Sequence, residues 1–190
     1  AFGLGAVPLN LAKHQLELGW DAWIWSLDRS PESDGAARST GMPRERLVGF
    51  KRVGPPFLCH SPVMNRRARD WSGPGVVHQH GIWTFVSRTT RILSARGAPT
   101  IVCPHGSLDP WAVRRSRVQK RIALLSYEDQ NLKRATCLHA VGGHEVAAFR
   151  GFGLRNPIAV IPNGISAAYL DTRGDAERFR KKYAIDREVQ

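Results

Sequence analysis

Long apolar runs are missing from this sequence, and so is a secretory leader. No stretch approaches the ~20 apolar residues that a membrane-spanning helix needs, and the N-terminus has no basic segment followed by an apolar one. These absences predict a soluble domain that is not processed on export. With 190 residues, 42% of them hydrophobic, the chain is long enough to bury one core.

Cysteine is scarce. Cys59, Cys103 and Cys137 are odd in number and far apart, with no C-x-x-C spacing. This pattern argues against both a disulfide framework and a zinc site. The sequence therefore predicts a protein of the reducing cytoplasm.

Acidic residues are also few: the chain has 16 acidic and 28 basic residues, which gives a net charge of +12. Such a charge indicates an anionic partner, which could be nucleic acid, a phospholipid surface or a phosphorylated small molecule. An arginine-rich composition of the source genome explains the same charge without any partner. Charge alone leaves these alternatives open.

Short apolar runs alternate with helical patterns along the chain. Continuous apolar strands of this kind are typical of a parallel sheet that is covered by helices on both faces. The sequence thus predicts a doubly wound, Rossmann-like α/β domain with a mostly parallel sheet. Strands are predicted at residues 20–27, 46–53, 75–80, 99–103, 136–141 and 157–161, and helices at residues 7–18, 85–95, 112–134 and 144–152.

A histidine followed by a glycine stands at the end of two predicted strands, as His80-Gly81 and as His105-Gly106. Ligands of doubly wound sheets bind outside the carboxyl ends of the strands. Glycine lets the backbone turn sharply there, and a histidine can donate to a phosphate or a sugar hydroxyl. One such histidine is explained as a polar strand end, but two at the same edge favour a ligand site.

Three other patterns have competing explanations. We expect His78 and His80 to point to opposite faces of their strand, which would make them a poor metal chelate, and we predict no metal. Gly3 and Gly5 precede a predicted helix and could cradle a phosphate, although flexible glycines at a chain end explain them equally. The five cations between Arg114 and Arg121 indicate a solvated helix face, an anion site or a membrane contact.

Five segments together resemble the N-terminal domain of the family 4 glycosyltransferases, which have the two-domain GT-B fold. Two of them, "HGIW" and "PHGSLDPW", are typical of a bacterial branch associated with cell-surface polysaccharides. The resemblance extends from Phe2 to Ile165, over residues 2–25, 76–83, 103–112, 135–154 and 157–165.

The resemblance implies a cytoplasmic enzyme that could be bound peripherally to the inner face of the membrane. It would transfer a hexosyl-type sugar with retention of the anomeric configuration, and it would need no metal or other cofactor. The donor would be a nucleotide-sugar and the acceptor a glycan or lipid-linked glycan. Residues 1–165 would form the acceptor-side domain and residues 166–190 the start of a linker to a donor-binding domain. The family's first strand, ahead of the glycine loop, is expected to be missing, and this chain alone is expected to have little activity.

The resemblance also assigns roles to single residues. His105 would be catalytic, because the family's histidine at this point contacts the donor sugar. Gly3 and Gly5 would approach the donor diphosphate, with Phe2 standing where the family has its first glycine. Substrate contacts are expected from His80, Gly81, Trp83, Gly106, Asp109, Trp111, Glu145 and Asn163.

Several of these residues have structural alternatives. Asp109 could bind an acceptor hydroxyl, orient His105, or cap the helix that follows it. Trp83 and Trp111 could stack on a sugar ring or simply pack against the sheet.

Two rival functions remain for the whole chain. One is a basic nucleic-acid or anion-binding module without catalysis, although no nucleic-acid motif is present and the aromatics are not interleaved with the basic run. The other is a binding-only protein that pairs with a separate catalytic subunit. Nucleic acid is accordingly not expected as a partner.

Overall fold

The computed structural model describes residues 3–27, 41–164 and 174–184. Its strands are β1 (Ile24–Leu27), β2 (Leu47–Phe50), β3 (Val77–His80), β4 (Thr100–Cys103), β5 (Cys137–Ala140) and β6 (Ile158–Val160). Its helices are α1 (Gly3–Glu17), α2 (Pro62–Arg69), α3 (Val86–Ala95), α4 (Pro110–Arg114), α5 (Arg117–Ala123), α6 (Asp129–Arg134), α7 (Gly143–Gly151) and α8 (Ala176–Tyr183). Among the described residues, no helix combines the length and the apolar character needed to cross a membrane.

All strand pairs in the two sheets are parallel. β1 pairs with β2, and the other strands form a four-stranded sheet in the order β3-β4-β5-β6. At least one α-helix lies between each two successive strands from β2 to β6, which confirms the predicted Rossmann-like α/β class. The absence of the family's first strand stays a prediction. The domain division also stays a prediction, because most of the predicted linker, residues 166–190, lies outside the described residues.

The main core lies where the four-stranded sheet meets α6 and α7. Val102, Leu138, Leu132 and Phe149 are completely buried in one apolar cluster. Full burial of such a side chain stabilises the fold by about 1.5–3 kcal/mol. Because β4 and β5 contribute side chains to this cluster, their sequences are continuous apolar runs.

Helix α7 ends at Gly151, one residue before its predicted end, and Gly153 belongs to the cap that follows it. Gly153 has a φ of +89°, its N–H donates to Arg150 O at 3.0 Å, and the Leu154 N–H donates to Phe149 O at 3.1 Å. These two bonds form a Schellman motif. Because Leu154 and Phe149 both lie in the core, the cap also fixes the path of the chain into β6.

The predicted long helix at residues 112–134 is wrong, because the chain breaks it once. Helix α4 stops at Arg114, Ser116 adopts a left-handed φ of +57°, and α5 starts at Arg117. A five-residue π turn, Leu124–Glu128, then joins α5 to α6 without a break, since the residues at its two ends keep right-handed helical angles. Neither the break nor the π turn contains a glycine or proline that would have indicated it.

Candidate functional site

The carboxyl ends of β3 and β4 bring the two predicted histidines into contact. His80 and Cys103 are paired in the strand register. The Nδ1 atom of His80 lies 3.0 Å from Nε2 of His105, and the two rings stack at a centroid distance of 5.2 Å. Both rings are half-buried, so the edge carries a pair of imidazoles that are open on one side.

The expectation that His78 and His80 face opposite ways is wrong. Residues two apart on a strand share a face, and their ring centroids lie only 4.2 Å apart. His139 on β5 extends this group, since its Nδ1 lies 3.2 Å from Nε2 of His78 and its Nε2 lies 2.7 Å from Ile161 O. Sequence analysis missed His139, although its place in a predicted parallel strand could have suggested it.

Burial favours the uncharged form of His78, His80 and His105. It lowers the pKa of His80 to about 3 and that of His78 to about 4, and the neighbouring imidazoles act in the same direction. Burial also lowers the pKa of His105, while the nearby Glu145 carboxylate opposes the shift. Each neutral ring offers one N–H donor and one acceptor nitrogen, which suits hydrogen bonding to sugar hydroxyls.

A possible metal-ligand group lies in the same place. One donor atom each from His80, Cys103 and His105 lie within 4.8 Å of one another. However, His105 faces His80 through Nε2 and faces Cys103 Sγ, 3.7 Å away, through Nδ1. His105 thus contacts its two neighbours through different ring nitrogens, as members of a hydrogen-bonded cluster do. The absence of a metal stays a prediction.

The loops behind the histidines adopt backbone conformations that side chains disfavour. Gly81 has a φ of +79° and Gly106 a φ of +72°, as a sharp turn requires. Trp83 and His105 also have positive φ, of +69° and +51°. For a residue other than glycine, such a conformation costs roughly 1–3 kcal/mol and persists only where surrounding contacts hold it.

One of those contacts comes from Glu145, which was expected to touch substrate. Its carboxylate is completely buried. One oxygen accepts the Gly106 N–H, and the other accepts the Val141 N–H at 2.6 Å. Glu145 therefore stands behind the His105 loop and anchors it, while its expected contact with substrate stays a prediction.

The other contact comes from Glu128, which sequence analysis missed. Its Oε2 accepts the Trp83 N–H at 2.7 Å and the Ser87 hydroxyl at 2.9 Å, and its Oε1 accepts from Asn131 Nδ2 at 3.0 Å. Gln79 completes the network through bonds to Ser87 and Asn131. Burial raises the pKa of Glu128, whereas these hydrogen bonds act against the rise. No sequence pattern marks an acid on a predicted helix as buried.

The two tryptophans differ in their surroundings. Trp83 is half-buried, and its indole N–H donates to Ser107 O at 3.1 Å. Its ring packs edge-on against Phe152 and lies 5.6 Å from the Lys120 ammonium. Trp111 is 63% exposed, so plain packing accounts for Trp83 but not for Trp111.

The remaining candidates lie around this edge or away from it. Asp109 is at the N-cap position of α4, but its side chain makes no capping bond. Gly3 and Gly5 lie inside the first turn of α1, which corrects their predicted place in a loop ahead of the helix. Asn163 is exposed, two residues after the Ile161 carbonyl that His139 contacts.

A parallel α/β sheet with helices packed against it and two histidines in contact at its carboxyl edge defines a domain of the Rossmann-like class, whose ligands bind at that edge. A family model described as a glycosyl transferase 4-like domain matches residues 2–164. The chain therefore belongs to the glycosyl transferase 4-like family, whose substrates are a sugar donor and an acceptor. No curated protein matches the chain.

Proposed function

We propose that this chain is the acceptor-side domain of a retaining GT-B enzyme that moves a hexosyl group from a nucleotide-sugar to a glycan or lipid-linked glycan of the cell surface. The observation that carries the proposal is the placement of His105 beside His80 at the carboxyl edge of the sheet, 3.0 Å apart. The family match over residues 2–164 supports the transferase class.

In this proposal His105 contacts the donor sugar. A neutral imidazole can donate its N–H to a sugar hydroxyl, here in exchange for the 3.7 Å contact between Nδ1 and Cys103 Sγ, without placing a cation beside the positive charge that develops on the sugar. His80 fixes the ring from one side, and Glu145 holds the following peptide through the Gly106 N–H. The site is thus preorganised, so that little reorientation is needed when the donor arrives.

The remaining contacts belong to the acceptor and to the leaving diphosphate. Asp109 makes no capping bond, and Trp111 and Asn163 are exposed; in this proposal these three residues face the acceptor. The charge of the leaving group would be met by cations and by the α1 amides near Gly3 and Gly5, with no metal. Residues 1–165 form the domain, residues 166–190 lead to a donor-binding half, and the enzyme works in the cytoplasm.

The test is a transfer assay on the enzyme expressed with a donor-binding half, using a panel of nucleotide-sugars and membrane extract. His105→Ala should lower kcat by roughly 10²–10³-fold, the loss typical of one preorganised donor. His14→Ala is the control, because His14 is an exposed residue of α1 whose ring contacts Glu17. Equal activity of the two variants would contradict the proposal.

A further inference from the structure

Three large aliphatic side chains are exposed along one side of α5 and the π turn that follows it. Val118 is 73% exposed, Ile122 62% and Leu125 81%. They stand four and three residues apart, which places them on one helical face. We call these three residues the apolar ridge. The exposed indole of Trp111 lies on the preceding helix α4.

Four exposed arginines accompany the apolar ridge, and we call them the arginine cluster: Arg114, Arg115, Arg117 and Arg121. No acidic residue occurs from Pro110 to Tyr127. Within the ranges that the structure describes, none of the four forms an ion pair. Within that part of the chain, the positive charge of the cluster is therefore not balanced by an acidic side chain.

We propose that the apolar ridge and the arginine cluster together bind the surface of an anionic lipid bilayer, with the ridge inserted below the headgroups. A helix that lies in a bilayer surface carries apolar residues on one side and cations beside them, as α5 does. Arginine stems can lie along the acyl boundary while the guanidinium groups reach phosphates, and tryptophan favours the same depth. Nucleic acid would use the charge but gives no reason for exposed valine, isoleucine and leucine.

The surface adjoins the candidate site. Lys120 of α5 donates to Ala112 O at 2.5 Å and lies over the Trp83 ring, and α4 begins five residues after His105. Docking would therefore bring the carboxyl edge of the sheet close to the bilayer. This inference rests on the proposed function in one respect: a lipid-linked acceptor would reach the site from that surface.

The charge dependence is tested by co-sedimentation of the full chain with vesicles of phosphatidylcholine, with and without phosphatidylglycerol. We expect binding only to the anionic vesicles, and weaker binding as salt rises. The variant R114Q/R115Q/R117Q should lower the partition coefficient by at least about tenfold. The matched control is R66Q/R67Q/R69Q in α2, which removes the same charge from exposed positions elsewhere.

The apolar part is tested separately with Val118→Ser/Leu125→Ser, against the exposed Val63→Ser in α2 as control. The double variant should bind anionic vesicles several-fold more weakly, whereas the control should bind normally. Because all these side chains are exposed, circular dichroism should show unchanged folding.

Three outcomes would overturn the inference. They are equal binding to zwitterionic vesicles, equal losses in the arginine variant and its control, and binding of an oligonucleotide without binding of vesicles. His105→Ala should keep vesicle binding, so that loss of transfer and loss of docking are separate results. A chain that docks but does not transfer contradicts only the proposed function, and one that transfers but does not dock contradicts only this inference.

Discussion

The buried carboxylate of Glu128 accepts the backbone N–H of Trp83 at 2.7 Å, across 45 residues of sequence. Glu145 does the same for Gly106, across 39 residues. Each His-Gly loop at the edge of the sheet thus has its own buried carboxylate behind it. These two anchors hold the positive-φ residues that follow or include the histidines.

Removal of the first anchor should destabilise the domain. In Glu128→Ala, the Trp83 N–H and the Ser87 hydroxyl lose their acceptor inside the protein and the Asn131 amide loses one of its two, which costs about 2–4 kcal/mol. Urea unfolding would measure this loss. The matched control is Asp129→Ala, because Asp129 is the next residue and forms an ion pair with Lys133 that is well exposed on both sides. Similar free energies of unfolding for the two variants would contradict the anchoring role.

The histidine row should make stability depend on pH. In the folded chain the pKa values of His78 and His80 are about 4 and about 3, below the ordinary value of 6.5. Between these pKa values and 6.5, the unfolded chain binds more protons than the folded one. The free energy of unfolding therefore has its full value above pH 6.5 with respect to these two histidines, and it decreases as the pH falls toward 4 and then 3. The slope is at most about 1.4 kcal/mol per pH unit for each ring.

Unfolding curves recorded across this pH range would measure the slope. The variant His78→Gln/His80→Gln should flatten it, whereas His144→Gln, at an exposed position of α7, should not. An unchanged slope in the double variant would show that the acid sensitivity arises elsewhere.

A methyl group at Gly106 should strain the His105 loop. Gly106 has a φ of +72°, and an added Cβ would meet Asp109 Oδ2 at 3.4 Å. We expect Gly106→Ala to cost about 1–2 kcal/mol from the left-handed backbone alone, together with a loss of transfer. Gly143→Ala is the control, since Gly143 begins α7, has no positive φ and has nothing within 4 Å of an added Cβ. Thermal unfolding that ranks Gly143→Ala as the less stable variant would contradict this account.

Local patterns predicted much of the fold and part of the site. The apolar strands, the glycine that caps α7 and the meeting of His80 with His105 all follow from periodicity and from the common edge of parallel strands. By contrast, Glu128 and Glu145 look like ordinary surface acids, because their burial depends on chain segments about 40 residues away. The break before α5 and the π turn after it contain no glycine or proline, so no local pattern marks them. The error over His78 and His80 was one of strand geometry alone.

The π turn has a consequence for how the chain tolerates changes in length. Within its five residues, Leu125 is 81% exposed while Glu128 is completely buried against the Trp83 loop. Deletion of one residue here would turn everything on one side of it by ~100° about the helix axis and carry Glu128 away from Trp83. Sequences that preserve this site should therefore vary in composition along the turn but not in the number of residues it contains.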